Sequence, residues 1–345
     1  MATLKKLLTR YDYAVSSDRI AQEPASPRDS ARLLVYNRKK EAVMHDTFLN
    51  LADYLPHNAI LVFNKTKVIP ARFSVTKETG GKATITYVET HAPHMQVMAD
   101  RRLPVGSRLI LSHTISFTVA RQEQKYYFLL PSFPVKNLFE ILERHGTMPI
   151  PPYIKHSPLT RAQLKKKYQT IFAQKNGSIA APTASLHFTK RLLTRLKKQG
   201  VTIAYTTLHV GLGTFAPLTQ ENISRGTLHH EWYQIDQKTV ALLTQAKKEK
   251  RPIIAAGTTV VRTLESASNA RGHIVRPLGT TDLFIREGYH FKFTTGLITN
   301  FHVPQSSLLM LVSAFVGRKK ILSLYQKAAD KNYRFFSFGD GMFIA

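Results

Sequence analysis

Cysteine is absent from the 345 residues. That excludes disulfides, thiolate nucleophiles, cysteine-ligated zinc and iron–sulfur clusters together. Long apolar runs are missing too: no stretch reaches the ~18 uninterrupted apolar residues of a membrane span, and residues 1–15 lack the apolar core of a signal peptide. A cytoplasmic protein without a membrane partner is therefore expected. Acid is the third shortage, with 22 Asp and Glu against 49 Lys and Arg and a formal net charge of +27. Because 43% of the residues are apolar and 10% aromatic, the chain can still bury an ordinary core, so the charge marks a folded basic protein rather than a disordered tail. The length suggests about two domains.

The shortage of acid is uneven. Between Glu143 and Glu221 there is no Asp or Glu, while that stretch contains twelve Lys and Arg. A solvated surface normally intersperses both signs, because like charges repel, so the partner suggested is a polyanion. Arg161, Lys165, Lys166 and Lys167 form one cluster; Lys190, Arg191, Arg195, Lys197 and Lys198 form another. The second reads as a helix, with Thr189 as N-cap, Leu192, Leu193 and Leu196 as its apolar stripe and Gly200 as its stop. Its outward face is almost wholly cationic and suits nucleic-acid phosphates; the alternative is a solvated helix of a basic protein.

Residues 73–131 differ from their surroundings. Short alternating runs at 84–88, 108–111, 115–119 and 126–130 are separated by turn signals such as Gly80-Gly81 and Pro104-Val105-Gly106. This pattern predicts a small antiparallel barrel or sandwich. A helix is expected over 135–145, followed by the stiff connector Met148-Pro149-Ile150-Pro151-Pro152-Tyr153. The flanks carry buried-strand candidates at 60–63, 201–210 and 252–256, the last leading through Gly257-Thr258-Thr259 into a helix with Val260, Val261, Leu264 and Ala267. Ser306 or Ser307 can cap a helix that runs through Leu308, Leu311, Val312 and Phe315 to Gly317. The expected architecture is a mixed α/β main domain, a central sheet with flanking helices built from 1–72 plus 148–345. A small antiparallel β-barrel domain with a trailing helix is inserted at 73–147.

Chemistry concentrates in two tracts of small residues. One runs from Gly177 through Ala180-Ala181-Pro182-Thr183-Ala184 to His187, the other from Thr206 through His209-Val210-Gly211 to Phe215. Small residues let a ligand approach the backbone, and His187 and His209 are side chains suited to proton exchange near neutrality; each can equally be a hydrogen-bonded core histidine. The Gly257-Thr258-Thr259 turn presents the free N–H groups of a helix start, which favour a carboxylate or phosphate. His229-His230-Glu231 sets a carboxylate beside imidazoles, as orienter, base or exposed loop. Asn300-Phe301-His302 precedes the Ser-capped helix, whose dipole would lower the histidine's pKa. No Walker A motif is present, and Gly211-Leu212-Gly213 does not continue into a dinucleotide fingerprint. Metal binding is not expected, since there is no His-Glu-x-x-His pair and His91-Ala92-Pro93-His94 reads as a loop.

Longer runs carry a resemblance. They are Tyr11-Asp12-Tyr13, Ile20-Ala21-Gln22-x-Pro24-x-x-x-Arg28-Asp29, Val62-Phe63-Asn64-x-Thr66-Lys67-Val68-Ile69-Pro70-Ala71-Arg72, Pro149-Ile150-Pro151-Pro152-Tyr153-Ile154 and Tyr168-Gln169-Thr170. With them go Ala180-Ala181-Pro182-Thr183-Ala184-x-Leu186-His187-Phe188, Thr207-Leu208-His209-Val210-Gly211-x-Gly213-Thr214-Phe215 and Gly257-Thr258-Thr259-x-Val261-Arg262-x-Leu264-Glu265. Thr299-Asn300-Phe301-His302-x-Pro304 and Tyr333-Arg334-Phe335-Phe336-Ser337-x-Gly339-Asp340 complete the set. Over essentially its whole length the sequence resembles the S-adenosylmethionine:tRNA ribosyltransferase-isomerases of queuosine biosynthesis. Four positions depart from the family pattern: Lys65-Thr66, Leu164, Arg286-Glu287-Gly288 and Leu228-His229-His230-Glu231. The first two remove acids and raise the basicity.

The resemblance implies the same α/β domain with an inserted barrel. It also implies that S-adenosyl-L-methionine is a co-substrate, the ribosyl donor, with no metal. The acceptor is tRNA carrying 7-aminomethyl-7-deazaguanine at the wobble position; the products are epoxyqueuosine-tRNA, adenine and methionine. A monomer is expected. Such chemistry needs a base for the carbon beside the sulfonium and acid assistance for departing adenine. His209, His187 and Glu231 are the catalytic candidates. Thr258, Thr259 and Arg262 are candidates for the donor's carboxylate. Arg72, Lys190, Arg191 and Arg195 are candidates for tRNA contact. The competing readings are a basic RNA-binding factor without catalysis and a methyltransferase using the same donor.

Overall fold

Nine strands form one mixed sheet in the order Leu278–Leu283, Thr227–Gln234, Thr202–Leu208, Ile60–Asn64, Ile253–Ala256, Gly296–Asn300, Gly341–Ile344, Arg32–Asn37 and Ala42–Thr47. They belong to a computed structural model that describes residues 2–211, 213 and 217–345. Leu212, Thr214 and Phe215, part of the second small-residue tract, lie outside the described residues. Thr202–Leu208, Ile60–Asn64, Ile253–Ala256 and Gly296–Asn300 run parallel. The near-continuous apolar sequences of Ile60–Asn64 and Ile253–Ala256 are what a sheet covered on both faces requires, and the last three strands are buried at every residue.

Strand periodicity divides the core. Ile60, Val62, Ala255 and Leu297 point to one face, packed with Val261, Leu264, Leu311, Leu324 and Tyr325 from the helices Thr258–Ala267, Ser307–Val316 and Arg318–Asp330. Leu61, Phe63, Ile254 and Ile298 point to the other, against Leu192 and Leu196 of the helix Lys190–Lys198. The expected caps are present: Thr189 Oγ1 accepts from Leu192 N, and Ser306 Oγ accepts from Leu309 N.

The inserted element is a closed antiparallel barrel rather than a sandwich, ordered Tyr126–Pro131, His94–Ala99, Lys82–His91, Arg72–Lys77, Arg108–Ser112 and Ile115–Glu123. Phe73, Ile85, Val97, Leu109, Phe117 and Leu129 fill it, together with Leu138 and Leu142 of the helix Leu138–His145. The His91-to-His94 segment, expected as a loop, is the tip of a hairpin in which these two histidines pair. Where the chain enters and leaves the barrel, Arg72 and Thr147 exchange backbone hydrogen bonds of 3.2 and 2.8 Å.

Candidate functional site

A cavity of about 370 Å3 opens at the carboxyl ends of the parallel strands. Three of the four strand ends contribute: Val210 follows Thr202–Leu208, Gly257, Thr258 and Thr259 follow Ile253–Ala256, and Thr299, Asn300, Phe301 and His302 end or follow Gly296–Asn300. Open α/β sheets bind ligands at this end. The small-residue tract Ala180 to Ala184 forms another wall, with Tyr153, Leu218, Phe336 and Ser337. Two helices, Thr258–Ala267 and Ser307–Val316, start at the cavity, so both direct their positive ends towards it. The first is entered through Gly257 at φ +106°, a backbone conformation that glycine adopts without strain. Among the described lining residues there is no Asp, Glu, Lys or Arg.

Asn64 ties the strand ends together. Its Nδ2 donates to the Leu208 carbonyl at 2.9 Å and to Thr259 Oγ1 at 3.3 Å, while its Oδ1 accepts from the amides of Thr66 and Leu208, both at 3.1 Å. His302 is held from behind: its amide donates to Tyr325 Oη at 3.0 Å, and the Tyr13 hydroxyl donates to its carbonyl. Its Nε2 lies 2.7 Å from Thr299 Oγ1. Burial pushes its pKa down to about 3, so the imidazole is neutral at pH 7. Asn300 is 2% exposed; its Nδ2 donates to the Phe336 carbonyl at 3.1 Å and faces His187 Nε2 at 3.4 Å. Its Oδ1 is buried and has no partner among the described residues.

The residues singled out from sequence fall into three places. Thr258 and Thr259 border the cavity. Glu231 and Arg262 form a buried ion pair beside it, lining a smaller cavity with His229 that shares Ser307 and Leu308 with the larger one. Glu231 Oε1 accepts from the Gly211 amide at 2.9 Å; Arg262 also donates to the carbonyls of Leu283 and Thr281 at 3.3 and 3.4 Å. His187 and His209 line neither cavity. His187 lies flat on Phe48 with centroids 4.0 Å apart, and burial, with help from Arg334 and Arg28, pushes its pKa down to about 3. It reaches the site only through Asn300.

His209 packs against a glycine and a tryptophan. Its ring stacks on Trp232 at 4.9 Å, and Gly177, at φ +143°, comes so close that a Cβ there would sit 2.8 Å from the ring. Nδ1 lies 2.8 Å from Thr66 Oγ1. Burial and the charge of Lys175 push its pKa down to about 4.

The basic helix is less free than its sequence suggests. Arg191 makes two 2.6 Å bonds to the fully buried Asp29, which also accepts from Thr189 Oγ1 at 2.6 Å. Arg195 donates to Asp53 at 2.7 and 2.9 Å and to Asn50 at 2.9 Å. Both arginines therefore fasten the helix to the chain's beginning, although Arg191 stays exposed, and Lys190, Lys197 and Lys198 are its exposed cations with no acidic partner among the described residues. In the other basic cluster Lys165 and Lys167 pair with Glu143 and Glu23. Arg72 sits half-buried where the barrel meets the sheet.

Sequence reasoning did not single out Asn300 and His302 as site residues, although both stood in a recognised run. Other motif positions prove to be structural. Gln169 brackets Val68 with bonds of 3.0 and 2.6 Å, and Arg28 donates to the carbonyls of Gln169 and Lys167 at 2.6 and 2.9 Å. Among the described residues no three metal-ligating side chains come together, and no helix is long and apolar enough to cross a membrane.

A family profile described as queuosine biosynthesis protein matches residues 8–344. A Carboxydothermus hydrogenoformans protein named S-adenosylmethionine:tRNA ribosyltransferase-isomerase is 45% identical, over 98% of this chain and 99% of its own. A Moorella thermoacetica protein of the same name is 44% identical over the same shares. The crystal structure of S-adenosylmethionine tRNA ribosyltransferase from Thermotoga maritima superposes with a TM-score of 0.55 at 32% identity, covering 97% of this chain and 100% of that one. With fold, motifs and full-length similarity in agreement, this chain belongs to the queuosine biosynthesis protein family.

Proposed function

We propose that this chain is an S-adenosylmethionine:tRNA ribosyltransferase-isomerase. It transfers and isomerises the ribosyl part of S-adenosylmethionine onto 7-aminomethyl-7-deazaguanine at the tRNA wobble position, with release of adenine and methionine. The observation that carries this reading is a small-molecule cavity with no charged side chain among its described lining residues, at the ligand-binding end of the sheet, in a chain of net charge +27 whose full-length relatives bear that name. A donor enters the cavity, and a polyanion is held outside it. The tRNA substrate assigns the work to the cytoplasm, and we assign it to a monomer.

Thr258 and Thr259, at a helix start, suit the donor's carboxylate. Arg262, paired with Glu231, contributes positive potential from behind the wall. His209, neutral at pH 7 and one residue from the wall residue Val210, is our first candidate for moving the proton from the carbon beside the sulfonium. His187 and Glu231 are the other candidates, the first acting through Asn300 and the second beside the smaller cavity. For tRNA we assign Lys190 and Arg72 to contact. Arg191 and Arg195 hold the helix that presents Lys190.

Incubation with S-adenosylmethionine and tRNA carrying the deazaguanine, followed by mass analysis, tests the function. Adenine plus methionine is expected; S-adenosylhomocysteine would identify a methyltransferase, and no product a binder. His209→Ala should abolish adenine release with tRNA affinity nearly unchanged, and full turnover in that variant would remove His209 from the mechanism.

A further inference from the structure

The sheet is covered on both faces along its central parallel strands, and at one edge it is not. In Thr227–Gln234 and its antiparallel partner Leu278–Leu283, Glu231, Tyr233 and Thr281 are buried on the face where Glu231 meets Arg262. The alternate residues Trp232, Gln234, Leu278 and Thr280 turn to the other face. Leu278 is 54% exposed, Thr280 is exposed, and Trp232 and Gln234 are half-buried. The register sets Trp232 beside Thr280 and Gln234 beside Leu278.

A cation reaches over this face. Lys175, exposed on the short strand Lys175–Ser178, places its ammonium 4.4 Å from the centre of the Trp232 ring and donates to Gln234 Oε1 at 2.5 Å. It has no acidic partner among the described residues, whereas Lys65 pairs with Asp236, two residues past Gln234, at 3.1 Å. Lys175 is therefore oriented by a ring and an amide while its charge stays unneutralised. The face also adjoins the donor cavity: Trp232 stacks on His209, and the next residue, Val210, lines the wall.

An open antiparallel face with an aromatic ring, an amide, a hydroxyl and an oriented cation is what unpaired RNA uses, its bases stacking and its phosphates meeting the charge. A solvated ammonium holds a ring less firmly than a stacked base does, so an arriving base displaces Lys175 from the indole onto a phosphate. Asp282, two residues beyond Thr280, can accept base N–H groups.

We propose that Trp232, Gln234, Leu278 and Thr280, with Lys175, form a stacking platform for an unpaired base of the tRNA loop. The proposal rests on the tRNA reading above. Because His209 and Val210 stand between the platform and the cavity, the base held here is a neighbour of the reacting one.

Trp232 is the chain's only tryptophan, so its emission reports on this face directly. Saturating tRNA should change that emission along the same curve as binding measured by filter retention. An unpaired oligoribonucleotide should displace labelled tRNA roughly tenfold better than an abasic strand of the same length and charge, because stacking needs bases and phosphate contact does not. Trp232→Leu should weaken tRNA binding by roughly tenfold, with Trp232→Phe restoring most of the loss. Thr280→Glu, at an exposed position, should also weaken it by setting a carboxylate beside the indole. Lys175→Gln should lower the salt slope by about 0.7. Equal competition by the abasic strand overturns the platform, as does unaltered affinity in both Trp232→Leu and Thr280→Glu. Emission unmoved by saturating tRNA overturns it too and leaves the face to a protein partner. If S-adenosylmethionine binds and tRNA does not, the tRNA reading falls and takes the platform with it.

Discussion

The cavity wall and the helix Lys190–Lys198 handle charge in opposite ways. The described lining of the cavity has no charged side chain, and its polar residues are threonines, serines, Tyr153, Asn300, Gln305 and His302. The helix has five cations in nine residues, of which two pair with Asp29 and Asp53 and three are exposed lysines; Arg191, though paired, is exposed too. A density of charge along the sequence therefore marks where a large polyanion can be held at a distance. It is a poor guide to a small-molecule site, where an isolated buried charge is costly and oriented dipoles do the same work without that desolvation.

The largest effect should come from upsetting the one buried pair beside the cavity. Glu231→Gln leaves the Arg262 guanidinium buried beside a neutral amide and should lower unfolding stability by about 3–5 kcal/mol, read from a denaturant titration. The double variant Glu231→Gln/Arg262→Met should recover part of that loss. No recovery would mean that the pair's geometry, rather than its charge balance, holds the site.

Acid should act next. Burial holds the pKa values of His187 and His302 at about 3, below the ordinary 6.5. As pH falls from 6.5 the unfolded chain takes these protons first, so the stability present above that pH is lost progressively towards pH 3. His187→Asn should flatten the decline between pH 6.5 and 4 in unfolding midpoints; an unchanged slope removes His187 as a source.

Asp29 sharpens the contrast from the helix side. Burial raises its pKa, but the bonds from Arg191 and Thr189 outweigh burial and hold it below the usual carboxylate range. Its contribution is present above the unfolded pKa and lost as pH falls through the folded one. Asp29→Asn should cost about 2 kcal/mol at pH 7 and nothing further in acid. The smallest effect on stability, within about 0.5 kcal/mol, belongs to Lys190→Gln, Lys197→Gln and Lys198→Gln together. That triple variant should weaken tRNA binding and flatten its salt dependence, by a slope of about 2, while leaving donor affinity alone. An equal loss of donor affinity would break the comparison.

Local patterns were legible and long-range partners were not. Alternation announced four of the six barrel strands; in His94–Ala99 it breaks at the apolar run Val97-Met98-Ala99, and Arg72–Lys77 follows the apolar run Val68-Ile69-Pro70-Ala71 with no turn signal of its own. The helix Ser307–Val316 was readable end to end because Ser306 and Gly317 mark it. The cavity is assembled from residues as distant as Leu8 and Ser337, so no window of sequence contains it. Asp29 lies 162 positions from Arg191, which is why the helix read as uniformly exposed charge. Asn300 and His302 stood in a recognised run, yet what makes Asn300 unusual is the Phe336 carbonyl, supplied by another segment.

The paired backbone of Arg72 and Thr147 has a consequence for how the chain assembles. Since the two crossings lie side by side, the sheet meets the whole barrel as it would meet a hairpin turn. The length of that excursion enters its closure entropy only through a logarithm, so its ends can be stapled early at little extra cost. The barrel can then ripen on its own schedule while Ile60–Asn64 finds Thr202–Leu208 and Ile253–Ala256 without waiting for it.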